Sequence, residues 1–368
     1  MKHKPKLLFL LGTRPEAIKL APVVRAAKDS GAFAVTLCLS GQHKHMAIPM
    51  LEHFRLKPDV TFDVPREVGN LPFLIGAVAS RVGEIFTRIR PELVVVQGDT
   101  TTAMVGSICG FYEHIPVAHV EAGLRSWDFM HPFPEEFNRR VISLSAALHF
   151  CPTSLSASNL LKEGVAKKTI RVVGNSCIDA LLWTLKHSQP SECFSPGKDG
   201  ILVTGHRREN WDEGIANLCR AVRQLTDTWE YTEVLFPVHL NPKVRDVVHK
   251  ILGDTDRVRL TEPLDYRTFC WAMKQAKLII TDSGGVQEEA LALGTPTLVT
   301  RKVTERPEVL ESGTVQLVGN TPEKIVRFAN RILGKSEYYK KLNHPSFPFG
   351  HGDTSAKIIR ELRRYFLL

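Results

Sequence analysis

The chain has 368 residues, more than one small core organises, which implies two domains at roughly 100–200 residues each. Hydrophobic residues make up 43% and charged residues 24%, which excludes a disordered chain, and every apolar run is too short to span a bilayer. The net charge of +9 fits nucleic acid or a phosphate-bearing ligand, but the basic residues are scattered and no nucleic-acid-binding pattern accompanies them.

The basic, apolar start MKHKPKLLFLLGTRPEA breaks at Gly12 without a cleavage pattern, so it reads as a first strand rather than a signal peptide, and a cytoplasmic protein is expected. That strand is KLLFLL (6–11). GTRPEAIK (12–19) then turns into a helix, with Pro15 in its first turn and Glu16 at the positive end of its dipole. Ordinary turn chemistry accounts for that much. It leaves Arg14 at the loop tip and Lys19 one turn on, a pair that suits a pyrophosphate.

VTLCLS (35–40) and ELVVVQ (92–97) are the next strands. In QGDTTTA (97–103), Asp99 stands at a strand end, where capping the following helix and chemistry are both open readings. PVAHV (116–120) leads into HVEAGLRS (119–126). There His119 and Glu121 share one side of an extended segment, and the chain turns at Gly123 to present Arg125. A carboxylate at a buried strand end is costly unless paired or functional. HPFPEEFNRRVI (131–142) predicts a helix from near Glu135, with acidic residues in its first turn.

After IRVVG (170–174), the breaker-rich SQPSECFSPGKDG (188–200) separates two series, and the domain junction is expected near 183–200. The second series is ILVTG (201–205), EVLFPV (233–238), VRLTEP (258–263), KLIITD (277–282) and PTLVT (296–300). TGHRREN (204–210) puts His206 beside Arg207, good anion-binding material at a strand end. His239 in PVHLNP is weaker, since closing a turn also explains it. This alternation of apolar runs with amphipathic stretches predicts two doubly wound α/β domains of parallel strands, with ligands at the carboxyl ends of the strands and a site in the cleft between the domains.

Several chemistries lack their signatures. There is no G-x-G-x-x-G after the first strand, no G-x-x-x-x-G-K-[ST], no G-x-S-x-G and no H-E-x-x-H, and the histidines do not pair with carboxylates at metal-ligand spacing. The seven cysteines never form a C-x-x-C pair, so reduced thiols are expected.

Taken together, GTRPEAIK, QGDTTT, HVEAGLRS, PFPEEFNRR, TGHRREN, HLNP, TDSGGVQEE and TERPE, in that order from about residue 6 onward, resemble the non-hydrolysing UDP-N-acetylglucosamine 2-epimerases. The resemblance implies the GT-B fold: two Rossmann-like doubly wound parallel-sheet domains facing a central cleft, here residues 1–182 and 183–353, with the last helix (about 354–367) packing back on the first. It also implies a homodimer; from the absent signatures above, no cofactor, metal, nucleic-acid or membrane partner is expected. The reaction implied is interconversion of UDP-N-acetylglucosamine and UDP-N-acetylmannosamine through a 2-acetamidoglucal, supplying surface polysaccharide synthesis.

By position in those motifs, Asp99, Glu121, Glu135 and His206 match the residues of proton transfer and leaving-group assistance; spacing does not say which carboxylate faces C2. Arg14, Lys19 and Arg207 would hold the diphosphate, and Arg125 would support the carboxylates. Phe269 would lie against uracil, with His239 and Arg306 also in the UDP-binding set. In TDSGGVQEE, Ser283 and the free amides at Gly284 and Gly285 would hold a phosphate and Glu289 the ribose hydroxyls, leaving Glu288 as a first-turn charge.

The chain departs from the family pattern at Gln97, usually histidine, and in the stretch Gln42, His43, Lys44, His45, where family members activated by a second UDP-N-acetylglucosamine carry Gln-His-x-Gln. Gln42 and His43 are the allosteric candidates, with Arg66 close to an expected arginine. The rival readings are a GT-B glycosyltransferase, a hydrolysing epimerase and a nucleic-acid-binding protein.

Overall fold

A computed structural model describes residues 3–64, 70–205 and 213–368, apart from the side chain of His43. The chain divides into two compact units, Met1–Ala180 with Phe349–Leu368, and Leu181–Pro348.

Unit 1 alternates β1 (Lys6–Leu11), α1 (Arg14–Asp29), β2 (Ala34–Ser40), α2 (Lys44–His53), β3 (Val60–Phe62), α3 (Leu71–Ile89), β4 (Leu93–Gln97), α4 (Thr101–Tyr112), β5 (Val117–Val120), α5 (Glu135–Ser145), β6 (Leu148–Cys151), α6 (Ser154–Lys162), β7 (Ile170–Val172) and α7 (Ser176–His187). The expected junction therefore begins as helix, and the division falls inside α7. Unit 2 carries β8 (Asp199–Thr204), α8 (Glu213–Thr228), β9 (Thr232–Pro237), α9 (Pro242–Leu252), β10 (Val258–Thr261), α10 (Tyr266–Gln275), β11 (Leu278–Thr281), α11 (Gly284–Leu293), β12 (Thr297–Val299), β13 (Val315–Leu317), α12 (Pro322–Gly334) and α13 (Ser336–Leu342). A last helix, α14 (Thr354–Tyr365), packs against α1 of unit 1. Asp179 accepts the amides of Ser355 (2.7 Å) and Thr354 (3.3 Å) at its start, satisfying donors that a helix N-terminus leaves open.

Unit 1 holds a seven-stranded sheet in the order β3-β2-β1-β4-β5-β6-β7, and unit 2 a six-stranded sheet in the order β10-β9-β8-β11-β12-β13. Every pairing is parallel. Helices cover both faces, which is why the central strands read as unbroken apolar runs: Leu7–Leu11 and all of β4 are buried. Phe9 in β1 and Phe236 in β9 are fully enclosed, and truncating either to alanine is expected to cost about 3–5 kcal/mol.

The expected α/β class holds in both units. Three short strands, β3, β6 and β13, were not expected from the sequence; at three or four residues each they carry too little pattern to read. All seven cysteines are unpaired, and among the described residues no helix is long and apolar enough to cross a membrane.

Candidate active site

Strand order reverses once in each sheet, between β1 and β4 and between β8 and β11. Open parallel sheets bind ligands in the crevice outside the carboxyl ends of such strands.

In unit 1 the chain leaves β1 at Gly12. A Cβ there would run into the hydroxyls of Ser40 and Thr102, so only glycine fits. Glu16, in the first turn of α1, folds its fully buried carboxylate back over this loop. Oε2 accepts the Gly12 amide (2.9 Å), the Thr13 amide (2.8 Å) and the Thr13 hydroxyl (2.8 Å), while Oε1 accepts the Thr100 hydroxyl (2.7 Å). Burial pushes its pKa up to about 7, against the pull of those four bonds.

The segment Gly98–Asp99–Thr100 beyond β4 is held from several sides. His119 Nε2 donates to the Gly98 carbonyl (2.7 Å), which places the ring proton on Nε2; burial pushes the ring's pKa down to about 3, so it is neutral. Asn138 Nδ2 donates to the Asp99 carbonyl (2.8 Å), and Arg139 Nη1 lies 3.3 Å from Asp99 Oδ2. Arg139 Nε also lies 3.3 Å from Glu136, whose buried carboxylate accepts the amides of Ser126 (3.0 Å) and Trp127 (3.3 Å). Glu136 thus binds the loop after β5, beyond being a first-turn charge. Glu135 opens α5 beside it and is half-buried.

Glu121, the first residue past β5, has the left-handed φ of 66°, a conformation that costs a non-glycine residue on the order of 1 kcal/mol and concentrates at functional sites. Its carboxylate is buried and takes Lys19 Nζ at 2.5 Å and Asn175 Nδ2 at 3.1 Å. Gly123 follows with φ 88°, where a Cβ would strike the Ser156 carbonyl.

One expectation for unit 1 needs correction. Arg125 does not reach the candidate carboxylates. Its buried guanidinium donates to Glu163 (Nε 2.9 Å, Nη2 2.6 Å), to Ser143 Oγ (2.8 Å) and to the Leu124 carbonyl (2.7 Å). A cation without solvent needs that full set of acceptors, and Glu163, which also takes Arg140 Nε at 2.9 Å, supplies it. Burial opposes ionisation of Glu163, yet the two guanidiniums together hold its carboxyl below the usual range. Lys19, the expected partner of the diphosphate, also pairs with Glu121. Of the allosteric candidates, Gln42 accepts the Thr102 hydroxyl at 2.9 Å.

In unit 2, Thr204 and Thr281 sit side by side across the switch strands, with their hydroxyls 2.6 Å apart. The Ser283 amide donates to Thr281 Oγ1 (3.0 Å), and α11 starts at Gly284, with open space where Gly285 lacks a Cβ. Glu289 accepts the Tyr266 hydroxyl at 2.7 Å. Glu288 is not an exposed first-turn charge: it is buried and ion-paired with Arg306, which also pairs with Glu305 at 3.3 Å. Arg306 therefore braces α11 against the TERPE loop, because a buried carboxylate must find a cation. His239 Nδ1 accepts the Asn241 amide (3.2 Å), which is the turn-closing alternative, and Phe269 is half-buried on α10. His206, Arg207 and Arg66 lie outside the described residues. Among those described, no cluster of metal-ligating side chains is present.

Residues 25–363 match the family model described as UDP-N-acetylglucosamine 2-epimerase. The chain belongs to that family. It is 43% identical over 361 residues to the UDP-N-acetylglucosamine 2-epimerase of Bacillus subtilis strain 168, covering 98% of this chain and 95% of that protein. The Escherichia coli K12 enzyme of the same name is 40% identical over 369 residues, covering 97% and 98%. Among solved structures, the Neisseria meningitidis UDP-GlcNAc 2-epimerase bound to UDP-GlcNAc aligns with a TM-score of 0.94 at 36% identity, covering 98% of this chain and all of that one (100%). The Methanocaldococcus jannaschii enzyme in complex with UDP-GlcNAc and UDP aligns with a TM-score of 0.86 at 33% identity, covering 98% and 99%. The GT-B fold and membership among isomerases follow.

For this epimerase-family chain, Arg14, Lys19, Asp99, Glu121 and Glu135 all come from loops or helix starts on the carboxyl edge of one sheet. Sequence reasoning missed the partners Thr100, Asn138, Arg139, Glu163, Asn175 and Tyr266. Asn175, a polar residue just beyond β7, carried the same strand-end signal as Asp99.

Proposed function

We propose that the chain interconverts UDP-N-acetylglucosamine and UDP-N-acetylmannosamine without releasing the sugar as a hydrolysis product. A carboxylate takes the C2 proton, the C1–O bond breaks, and UDP leaves with the bonding electrons, giving 2-acetamidoglucal. UDP oxygen then adds back to C1 while a proton reaches C2 from the opposite face. Asp99, Glu121 and Glu135 are the candidate acid–base groups, and His206 assists the departing diphosphate. Arg14 and Arg207 hold the diphosphate charge, and Ser283 with the amides of Gly284 and Gly285 takes a phosphate. Glu289 meets the ribose and Phe269 the uracil. Lys19 and Asn175 aim Glu121.

The observation that carries this reading is the Lys19–Glu121–Asn175 arrangement at a left-handed backbone position on the carboxyl edge of the sheet. Strain is retained where geometry matters, and a paired carboxylate there is ready to accept a proton. Two solved relatives, named as UDP-GlcNAc 2-epimerases and bound to UDP-GlcNAc, support the substrate. The same reading makes the enzyme a cytoplasmic homodimer feeding surface polysaccharide synthesis, and keeps Gln42 and His43 as candidates for a second nucleotide-sugar site.

Incubation with UDP-N-acetylglucosamine in heavy water tests it. The expected result is deuterium at C2 of both epimers, with the nucleotide retained. Free N-acetylmannosamine with UDP release, or UDP release only when an acceptor sugar is present, would overturn the reading in favour of a hydrolysing epimerase or a transferase.

A further inference from the structure

Glu16 lies outside the candidate catalytic set, yet its carboxylate is fully buried at the switch point of the unit 1 sheet. Helix capping explains one of its oxygens: Oε2 gathers the Gly12 and Thr13 amides and the Thr13 hydroxyl at the start of α1. Capping does not explain the other. Oε1 accepts the Thr100 hydroxyl, 84 residues away in sequence, at 2.7 Å. That same Thr100 oxygen accepts the Ala103 amide at 3.0 Å and so caps α4.

One carboxylate therefore spans two strand ends. Its Oε2 organises the turn after β1 that carries Arg14. Its Oε1 orients the hydroxyl that starts α4, one residue after Asp99. Other holds on this segment come from β5, through His119 on the Gly98 carbonyl and the Gly98 amide on the Val120 carbonyl (3.0 Å), and from α5, through Asn138 and Arg139 on Asp99. Glu16 supplies the hold from the β1 side.

We infer that Glu16 is a positioning residue for epimerisation, strapping the loop after β1 to the loop after β4 and so setting where Asp99 stands. The inference rests on the proposed function for the role of Asp99, but not for the strap itself. Above about pH 7, where Glu16 is ionised, a hydroxyl bonded to its carboxylate must donate, so Thr100 has its proton on Glu16 and its lone pairs toward Ala103. Glu16→Gln leaves an amide oxygen for the α1 turn but turns a donor toward Thr100, reversing the polarity of the link while keeping the volume. The positional consequence is large because misplacing a reacting group by about 1 Å can cost about 100-fold in rate.

The test combines amide hydrogen exchange with steady-state kinetics on the full-length chain at about pH 8.5, where Glu16 is ionised, using Glu16→Gln, Thr100→Val, Thr100→Ser and the Glu16→Gln/Thr100→Val double variant. Exchange in peptides covering 98–104 is expected to quicken in Glu16→Gln and Thr100→Val and to return to wild-type protection in Thr100→Ser. In Glu16→Gln, kcat is expected to fall about 10- to 100-fold with KM within about threefold. Because Thr100→Val also loses the cap bond to Ala103, the cycle is read rather than that single variant: the double variant should be no slower than the slower single. Wild-type protection of 98–104 in Glu16→Gln would overturn the strap, and faster exchange with an unchanged kcat would overturn the positioning role. Additive losses would overturn transmission through Thr100. A wild-type enzyme that makes no UDP-N-acetylmannosamine would instead overturn the proposed function, with the exchange data still deciding the strap.

Discussion

Lys19 on α1 and Glu121 past the end of β5, 102 residues apart in sequence, form a 2.5 Å ion pair with little access to solvent. The lysine that the sequence suggests for a phosphate pairs with a carboxylate here. The pair ties the β1–α1 turn to the β5 loop and gives the buried Glu121 carboxylate a cation.

Removing one partner of such a pair strands the other. Lys19→Met is expected to destabilise unit 1 by about 3 kcal/mol and to abolish measurable turnover. The double variant Lys19→Met/Glu121→Gln should regain most of the stability and none of the activity. Urea midpoints and epimerisation rates on the two variants check this; a double variant no more stable than Lys19→Met would count against a buried pair.

Glu16 should make stability depend on pH in a definite direction. Its pKa is raised from the usual 4.5 to about 7, so the folded state binds its proton more tightly than the unfolded chain does. That contribution is fully present below about pH 4.5 and is lost as pH rises through about 7. Glu16→Gln lacks the titration, so the melting temperature of the variant relative to wild type should climb between pH 5 and pH 8. A constant difference across that window would show that Glu16 does not titrate there.

His119 acts in the opposite sense. Burial holds its pKa at about 3 rather than 6.5, with His149 and Arg125 adding repulsion and the Gly98 bond and Glu121 opposing it. The folded state binds fewer protons, so this stability is present above about pH 6.5 and is lost as pH falls toward 3, at about 1.4 kcal/mol per pH unit. His119→Gln keeps a donor for the Gly98 carbonyl and should lose less stability than wild type between pH 7 and pH 5. Parallel denaturation profiles for the two proteins would remove His119 from the acid response.

Tyr266 and Glu289 link α10 to α11 by a 2.7 Å hydrogen bond, and Glu289 is the group proposed to meet the ribose. Losing a hydroxyl that orients a carboxylate is worth about 1.5 kcal/mol. Tyr266→Phe should therefore weaken UDP binding roughly tenfold. Calorimetry with UDP and 2′-deoxy-UDP checks both strength and cause: the variant should discriminate less between the two nucleotides. Unchanged discrimination would move Glu289 away from the ribose.

The division between pattern and partner is visible in particular residues. KLLFLL, LVVVQ and LIIT announced parallel strands because a strand buried on both faces must be apolar along its whole length, a property of the local chain. The strand-end loops GTRPE, QGDTT, HVEAG and TDSGG were marked as ligand-facing by their glycines and charges, and they do lie at the carboxyl edges of the two sheets. VTF, LHFC and VQL passed unseen, since three or four residues do not establish a period.

Charged side chains show the other half. Arg125, expected on the catalytic carboxylates, pairs with Glu163; Glu288, expected as a first-turn charge, pairs with Arg306; Glu16, expected to favour the α1 dipole, reaches Thr100. Local pattern decides which residues form strands and where loops gather, because periodicity and turn chemistry act over a few neighbours. A buried charge takes whichever counter-group the fold brings within about 3 Å, and that group lies on another strand or helix whose approach no local spacing encodes.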